Sequence, residues 1–202
     1  MPDLFDYSNE PVLIDLPDAE LVFFPALFSG ELADCYYDKI MSETEWQQEV
    51  IQMYGKEMQV PRLSAWYADN AMPYTYSGIT HNAHQLTPAL NDIREAINKE
   101  SGTYFNSVLL NLYRNQNDSV AWHSDDEPEL GNNPVIASVS LGQEREFQLR
   151  NKQDKKQKYS LILPHGSLLI MKGTTQHYWE HQIAKVKREM EPRVNLTYRM
   201  IQ

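Results

Sequence analysis

From Phe105 onward the chain is cut into seven short β-rich runs: Phe105–Tyr113, Val135–Leu141, Glu146–Arg150, Tyr159–Leu163, Ser167–Met171, Tyr178–Ile183 and Val194–Met200. Turn signals separate them, including Gly142, a lysine-rich loop, Pro164-His165-Gly166 and Lys172-Gly173. Runs this short at this spacing predict two packed sheets, a sandwich or double-sheet barrel. A jelly roll adds an open mouth where side chains from distant strands converge. The first half reads differently. Ser29 caps a predicted helix to about Ser42, with Leu32, Cys35, Tyr36, Lys39 and Ile40 at helical spacing. Thr87-Pro88 starts a second, striped by Leu90, Ile93, Ala96 and Ile97. Glu49–Tyr54 and Met58–Arg62 flank Gly55-Lys56 as a hairpin. With no repeat or linker in 202 residues, one domain is expected, residues 1–104 forming an extension over a β core at 105–202.

Composition narrows the class. No apolar run approaches the roughly 20 residues of a membrane helix. The amino terminus carries Asp3, Asp6 and Glu10 and no secretory signal, so an intracellular address is expected: cytoplasm in a bacterium, nucleus in a eukaryote. The single cysteine, Cys35, reads as a partly buried, chemically quiet thiol. A net charge of −10 excludes nucleic-acid binding by bulk attraction. Its distribution leaves room for a local grip, since Arg145 to Lys158 holds an excess of four positive charges.

In Trp122-His123-Ser124-Asp125 an extended backbone turns His123 and Asp125 to one side, where both reach one cation. Two histidines and a carboxylate on one face of an octahedral ion leave positions open for co-substrate and oxygen, as in non-haem Fe(II) oxygenases. The second histidine is His177 or His181, which share a face if Gln176–His181 is a strand; His165 reads as a turn support, His81 and His84 as a surface loop. In Arg193–Arg199 the residues Arg193, Asn195, Thr197 and Arg199 alternate with Val194, Leu196 and Tyr198. Water explains a polar face if it is exposed. If it lines a barrel, paired guanidiniums require a permanent anion, which a dicarboxylic acid supplies. Asn111 and Tyr113 add donors from a neighbouring strand.

Together these residues resemble the AlkB family of Fe(II)- and 2-oxoglutarate-dependent dioxygenases, from about Ile51 to Ile201. The elements run in family order: Asn111-Leu112-Tyr113, His123-Ser124-Asp125, Ile136–Gly142, His165–Met171, then His181 and Arg193–Arg199. The resemblance implies a mainly β (α+β) double-stranded β-helix, a jelly roll with flanking helices and an N-terminal nucleotide-recognition lid. It selects His181 over His177, which becomes a core or supporting residue. His123, Asp125 and His181 are then the iron ligands. Arg193 and Arg199 become the 2-oxoglutarate anchors with Asn111, Tyr113, Asn195 and Thr197, and O₂ is the other co-substrate. Tyr54-Gly55-Lys56, Val60-Pro61-Arg62, Tyr74–Gly78 and Asp125-Asp126-Glu127 resemble the DNA-repair branch. That likeness makes Tyr54 a duplex wedge, with Gly55 and Lys56 beside it. It makes Tyr76 a base-stacking partner facing His123, and Tyr74, Thr75, Asp126 and Glu127 the pocket border. The implied partner is alkylated DNA, single- or double-stranded, with RNA as the alternative, for a monomer without membrane contact. The implied reaction is oxidative demethylation of N-alkylated bases of the 1-methyladenine and 3-methylcytosine type, releasing succinate, CO₂ and formaldehyde; the alternatives are an oxygenase of this type acting on RNA or protein, or a non-catalytic damage-binding metal protein.

Overall fold

The protein is described by a computed structural model over residues 10–53, 55–69, 74–76, 79–81 and 83–202. The first half contributes β1 (Val12–Leu16), β2 (Ala19–Phe24), α1 (Gly30–Glu43), β3 (Val50–Met53), β4 (Lys56–Gln59) and β5 (Leu63–Ala68). β6 (Tyr74–Tyr76), β7 (Ile79–His81) and α2 (Pro88–Ser101) follow. The second half runs β8 (Ser107–Tyr113), β9 (Val120–His123), β10 (Ile136–Gly142), β11 (Arg145–Asn151), β12 (Lys158–Leu163) and β13 (Ser167–Lys172). It ends with α3 (Thr175–Tyr178), β14 (Trp179–Ile183) and β15 (Arg193–Arg199).

Seven antiparallel strands form one sheet in the order β1-β2-β13-β10-β15-β8-β5, and four form a second, β12-β11-β14-β9. The architecture is the expected mainly β jelly roll. The large sheet draws β1, β2 and β5 from the first half of the chain, so those residues are structural partners of the β core. β3–β4 and β6–β7 are separate hairpins.

Alternation along the strands sorts side chains into two interiors. Val194, Leu196 and Tyr198 of β15, Ala137, Val139 and Leu141 of β10, and Val108, Leu110 and Leu112 of β8 pack with Ile40 of α1 and Leu90, Ile93 and Ile97 of α2. The opposite face of the large sheet meets the small one through Tyr113, Ile136, Leu169 and Met171 against Phe147, Leu149, Trp179 and Ile183. The polar residues of β15 therefore point between two sheets, not into water. Tyr198 closes the helical side by donating from its hydroxyl to the Leu90 carbonyl at 2.7 Å.

Both expected helices form where their caps place them. The Ser29 hydroxyl accepts the Leu32 amide and the Thr87 hydroxyl accepts the Leu90 amide. Gly102 ends α2 at φ 67°, a conformation costly for other residues. The buried stripe of α1 is Ala33, Tyr36 and Ile40. Leu32 is exposed, and so is Cys35, correcting its expected partial burial. Among the described residues no helix is long and apolar enough to cross a membrane.

Asp118 pins the connection from β8 to β9. Its carboxylate takes the Arg114 guanidinium at 2.7 and 2.9 Å and the Arg114 amide at 2.9 Å. Burial alone would raise its pKa, but hydrogen bonds and charge from Arg114, with the charge of Arg145, bring it below the usual carboxylate range. Such a group stabilises fully above its unfolded pKa, about 3.9, and its contribution is lost as pH falls through the lower folded value. Asp118→Asn should therefore cost about 1–2 kcal/mol near neutral pH, the partner being part-exposed. Urea midpoints of the variant and the parent should converge as the solution is acidified. A gap that stays constant down to the acid transition contradicts this.

Candidate active site

Strand register brings the first cluster together. His123 ends β9 directly opposite His181 on β14, their rings 4.3 Å apart between centroids. Asp125 follows two residues beyond β9. One ligating atom from each of His123, Asp125 and His181 lies within 4.8 Å of the other two. The His123 Nδ1–H donates to the Ala121 carbonyl at 2.8 Å, which leaves Nε2 with its lone pair. His181 is buried against the Phe147 ring. Burial, reinforced by the charge His123 would carry, brings its pKa to about 3. Burial likewise lowers His123 despite Asp125 nearby. Burial would raise Asp125, but Arg199, followed by the two histidines, brings it down to about 2.

Two neutral imidazoles thus face one carboxylate anion. His181 Nε2 stands 3.8 Å from Asp125 Oδ2, too far for a hydrogen bond. A neutral imidazole gains no ion pair there either. The gap suits a cation with mixed nitrogen and oxygen preference, and the donor set fits ferrous iron.

A second cluster comes from the inter-sheet face of the large sheet. β15 pairs with β8 so that Arg193 faces Tyr113 and Asn195 faces Asn111. On its other side β10 places Ser138 and Ser140 opposite Thr197 and Asn195, and Gly142 opposite Arg193. Gly142 has φ 85°, and a Cβ there would approach the Pro192 carbonyl to 2.5 Å. Arg193 and Arg199 are six residues apart, about 20 Å of extended strand, and lean inward from its two ends. Both line the cavity that also holds the His-Asp-His cluster.

The guanidiniums are used differently. Arg199 donates to Asp125 Oδ1 at 2.5 Å, so it steadies the carboxylate of the His-Asp-His cluster as well as lining the cavity. Arg193 is 1% exposed, donates from Nη2 to the Ser140 hydroxyl at 2.8 Å and also interacts with the Tyr113 phenol. Its Nε and Nη1 are buried without a hydrogen-bond partner. Burial lowers its pKa to about 10, leaving it cationic at neutral pH. A buried cation with two unspent donors is costly until a carboxylate takes them. The pocket fits a dicarboxylate on this ground.

Comparison with known proteins assigns the chain. Residues 20–199 match the 2OG-Fe(II) oxygenase superfamily. Human alpha-ketoglutarate-dependent dioxygenase alkB homolog 3 is 40% identical over 193 residues, 91% of this chain and 66% of that protein. Human DNA oxidative demethylase ALKBH2 is 37% identical over 188 residues, 88% of this chain and 72% of its own length. The chain belongs to the AlkB family of 2OG-Fe(II) oxygenases. It spans about two thirds of the homolog 3 proteins, 66% of the human and 64% of the bovine one. The structure of OsALKBH1 shares the fold, with a TM-score of 0.66, 16% identity, and coverage of 94% of this chain and 100% of that one. Family membership brings ferrous iron, 2-oxoglutarate and O₂ as the reagents.

Within this AlkB chain several sequence expectations change. His177 is neither core nor support for the cluster. It sits exposed in α3, its Nε2 2.9 Å from Asn133 Oδ1, because residues 175–178 close a helical turn before β14 begins. His84 is half-buried and its ring lies 5.4 Å from that of Tyr67. His165 does support a turn, accepting the Gly142 amide at 2.8 Å. The Asn195 amide is already engaged, donating to Ser138 Oγ and the Val139 carbonyl and accepting from Thr197. Asn195 and Thr197 therefore build the wall of the cavity. Asn111 accepts from Arg62 Nε at 2.6 Å, and Arg62 enters the cavity from the segment after β4.

At the rim, Asp126 is exposed and pairs with Lys152 at 3.0 Å. Lys152 also donates to the Gln176 carbonyl at 2.7 Å, so this lysine of the basic loop is tied back to the body. Glu127 precedes a 3-10 turn, and burial raises its pKa. Gly55 turns the β3–β4 hairpin at φ 74°. Tyr54 lies outside the described residues, as do the side chains of Lys56, Tyr74, Thr75 and Tyr76.

Sequence reasoning missed Gln176. It is fully buried, and its Oε1 accepts the Asp125 amide at 2.9 Å, fixing the loop that carries the carboxylate. Gln176→Met should weaken Mn(II) binding about tenfold, in line with outer-shell contacts at metal sites. Calorimetric titration checks this, and unchanged affinity contradicts it.

Proposed function

We propose that this AlkB chain is an oxidative demethylase of N-alkylated bases in DNA, of the 1-methyladenine and 3-methylcytosine type. It acts as a single-domain monomer inside the cell and releases succinate, CO₂ and formaldehyde. The observation that carries this reading is the convergence of His123, Asp125 and His181 with the open guanidinium of Arg193 in one cavity. The naming of a 37% identical human relative as a DNA oxidative demethylase supports the substrate class.

A methyl on N1 of adenine or N3 of cytosine lies on the pairing edge and is unreachable inside a duplex, so the base must leave the stack. The lesion has already spoiled its pairing and reduces that cost. His123, Asp125 and His181 would hold ferrous iron, which with 2-oxoglutarate and O₂ supplies an oxidant strong enough for an inert C–H bond. The chain's own contribution is placement and charge. Ala121 holds the His123 tautomer, Gln176 and Arg199 hold Asp125, and Arg193 with Tyr113 receives the far carboxylate of the diacid. Asp126 and Glu127 at the rim favour an alkylated, cationic base over a neutral one. Once hydroxylated, the methyl leaves as formaldehyde and the base is restored.

Around this cavity, a groove between the β3–β4 hairpin and β9 is lined by Ile51, Met58, Pro61, Trp122 and Lys185. Lys185, Lys187 and Arg188 are exposed on the connection after β14. Together with the exposed Lys155, Lys156 and Lys158 of the basic loop they supply cations for a phosphate backbone on an otherwise acidic chain.

The test is repair of 1-methyladenine and 3-methylcytosine in matched single- and double-stranded DNA and in RNA, with and without 2-oxoglutarate. The reading expects formaldehyde from the DNA lesions only when 2-oxoglutarate is present. Turnover confined to RNA rejects the DNA assignment, and no turnover on any base rejects the substrate class.

A further inference from the structure

Arg145 opens β11 on the small sheet and points inward, 2% exposed. Its guanidinium lies over the Tyr113 ring, Cζ 5.6 Å from the centroid. The Arg193 guanidinium lies over the same ring at 5.2 Å. One phenol from the large sheet therefore meets a cation from each sheet. Such contacts strengthen when water is excluded.

The hydrogen bonds of Arg145 all go to main-chain carbonyls: Ala184 at 2.7 Å, Asp118 at 3.1 Å and Asn115 at 3.4 Å. Those oxygens fix the fork but do not neutralise it. Among the described residues no carboxylate lies within ion-pair distance of Arg145, since the Asp118 carboxylate is turned to Arg114. Asp118 offsets this charge only from a distance, its carboxylate being spent on Arg114, and the second guanidinium beside it adds repulsion, which is costly for buried cations. An anion bound at this end of the cavity relieves both.

We propose that Arg145, behind the Tyr113 wall of the co-substrate pocket, is a positioning and charge-selecting residue for it. Stacked on Tyr113, it sets the phenol beside Arg193, and its charge favours a 2-oxo acid with two carboxylates over one with a single carboxylate. The inference rests on the reading that Arg193 and Tyr113 receive the far carboxylate of 2-oxoglutarate. The basic pocket then selects by charge as well as by hydrogen-bond geometry, because a second cation strengthens attraction to the far carboxylate and leaves a monoacid nearly unaffected.

The experiment measures dissociation constants of 2-oxoglutarate and of 2-oxobutyrate, its analogue lacking the far carboxylate, on Mn(II)-loaded protein. In Arg145→Met the preference for the diacid should fall by about tenfold or more, while Mn(II) affinity changes less than about twofold. Arg145→Gln, which keeps donors for the carbonyls, answers the same question if the methionine variant does not fold. Arg145→Lys keeps the charge and should hold the preference within about threefold of the parent. An unchanged preference in the neutral variants, or an equal fall in the lysine variant, overturns the inference. Arg193→Met is the control for the underlying reading. Retained 2-oxoglutarate binding there overturns the co-substrate assignment itself, whereas its loss alongside an unchanged preference at Arg145 overturns only the role given to Arg145.

Discussion

His123→Ala is expected to reduce lesion-dependent succinate formation to below about 1% of the parent, a loss of at least ~2.7 kcal/mol of transition-state stabilisation. The chain should stay folded, because the His123 ring is only part-buried and its one described hydrogen bond goes to Ala121, two residues away. This makes it a cleaner test than Asp125→Ala. Asp125 is 1% exposed and carries the charge opposite Arg199, so its removal strands a buried cation at a cost of about 3–5 kcal/mol. Loss of activity in Asp125→Ala mixes metal loss with unfolding; in His123→Ala it does not. Full turnover by metal-controlled His123→Ala protein removes the ligand assignment.

Arg193→Met should separate function from stability with opposite signs. A neutral side chain of similar length removes a buried cation that has no internal anion, so the ligand-free protein should gain about 1–4 kcal/mol, as when hydrophobic residues replace buried ions. The same change removes the charged donors for 2-oxoglutarate, and its affinity should fall at least about 30-fold. In a thermal melt the variant should start above the parent in Tm and fail to rise when Mn(II) and 2-oxoglutarate are added, whereas the parent rises. A variant less stable than the parent that still responds to 2-oxoglutarate contradicts the role given to Arg193.

The strands of the second half were legible because alternation and turns coincide there. β15 carries its polar and apolar residues on strict alternate positions, and both faces are buried for different reasons. β5 was not legible. Leu63–Ala68 has four consecutive buried residues, so period-two contrast is absent and nothing separates it from a loop. β1 and β2 likewise lack a neighbour in sequence to announce that they will extend β13. For the site, residue chemistry singled out the His-x-Asp pair and the two arginines, and family likeness chose His181. What remained hidden was partnership across long separations. Arg199 and Asp125 meet across 74 residues, and Gln176 reaches Asp125 across 51. A glutamine announces no chemistry by its type, and only its complete burial beside the Asp125 amide gives it a role. Asn195 shows the same limit: family likeness made it a co-substrate contact, and only the structure shows that its amide also ties β15 to β10 at the cavity wall.

The most direct test of the central arrangement is an anaerobic titration of the purified chain with Fe(II) and then 2-oxoglutarate, following the visible charge-transfer absorption of a 2-oxo acid chelated to ferrous iron. One iron per chain and a band that appears on adding 2-oxoglutarate, absent in His123→Ala, are the expected results. No band from the parent, or a full band from His123→Ala, would contradict a shared iron site built from His123, Asp125 and His181.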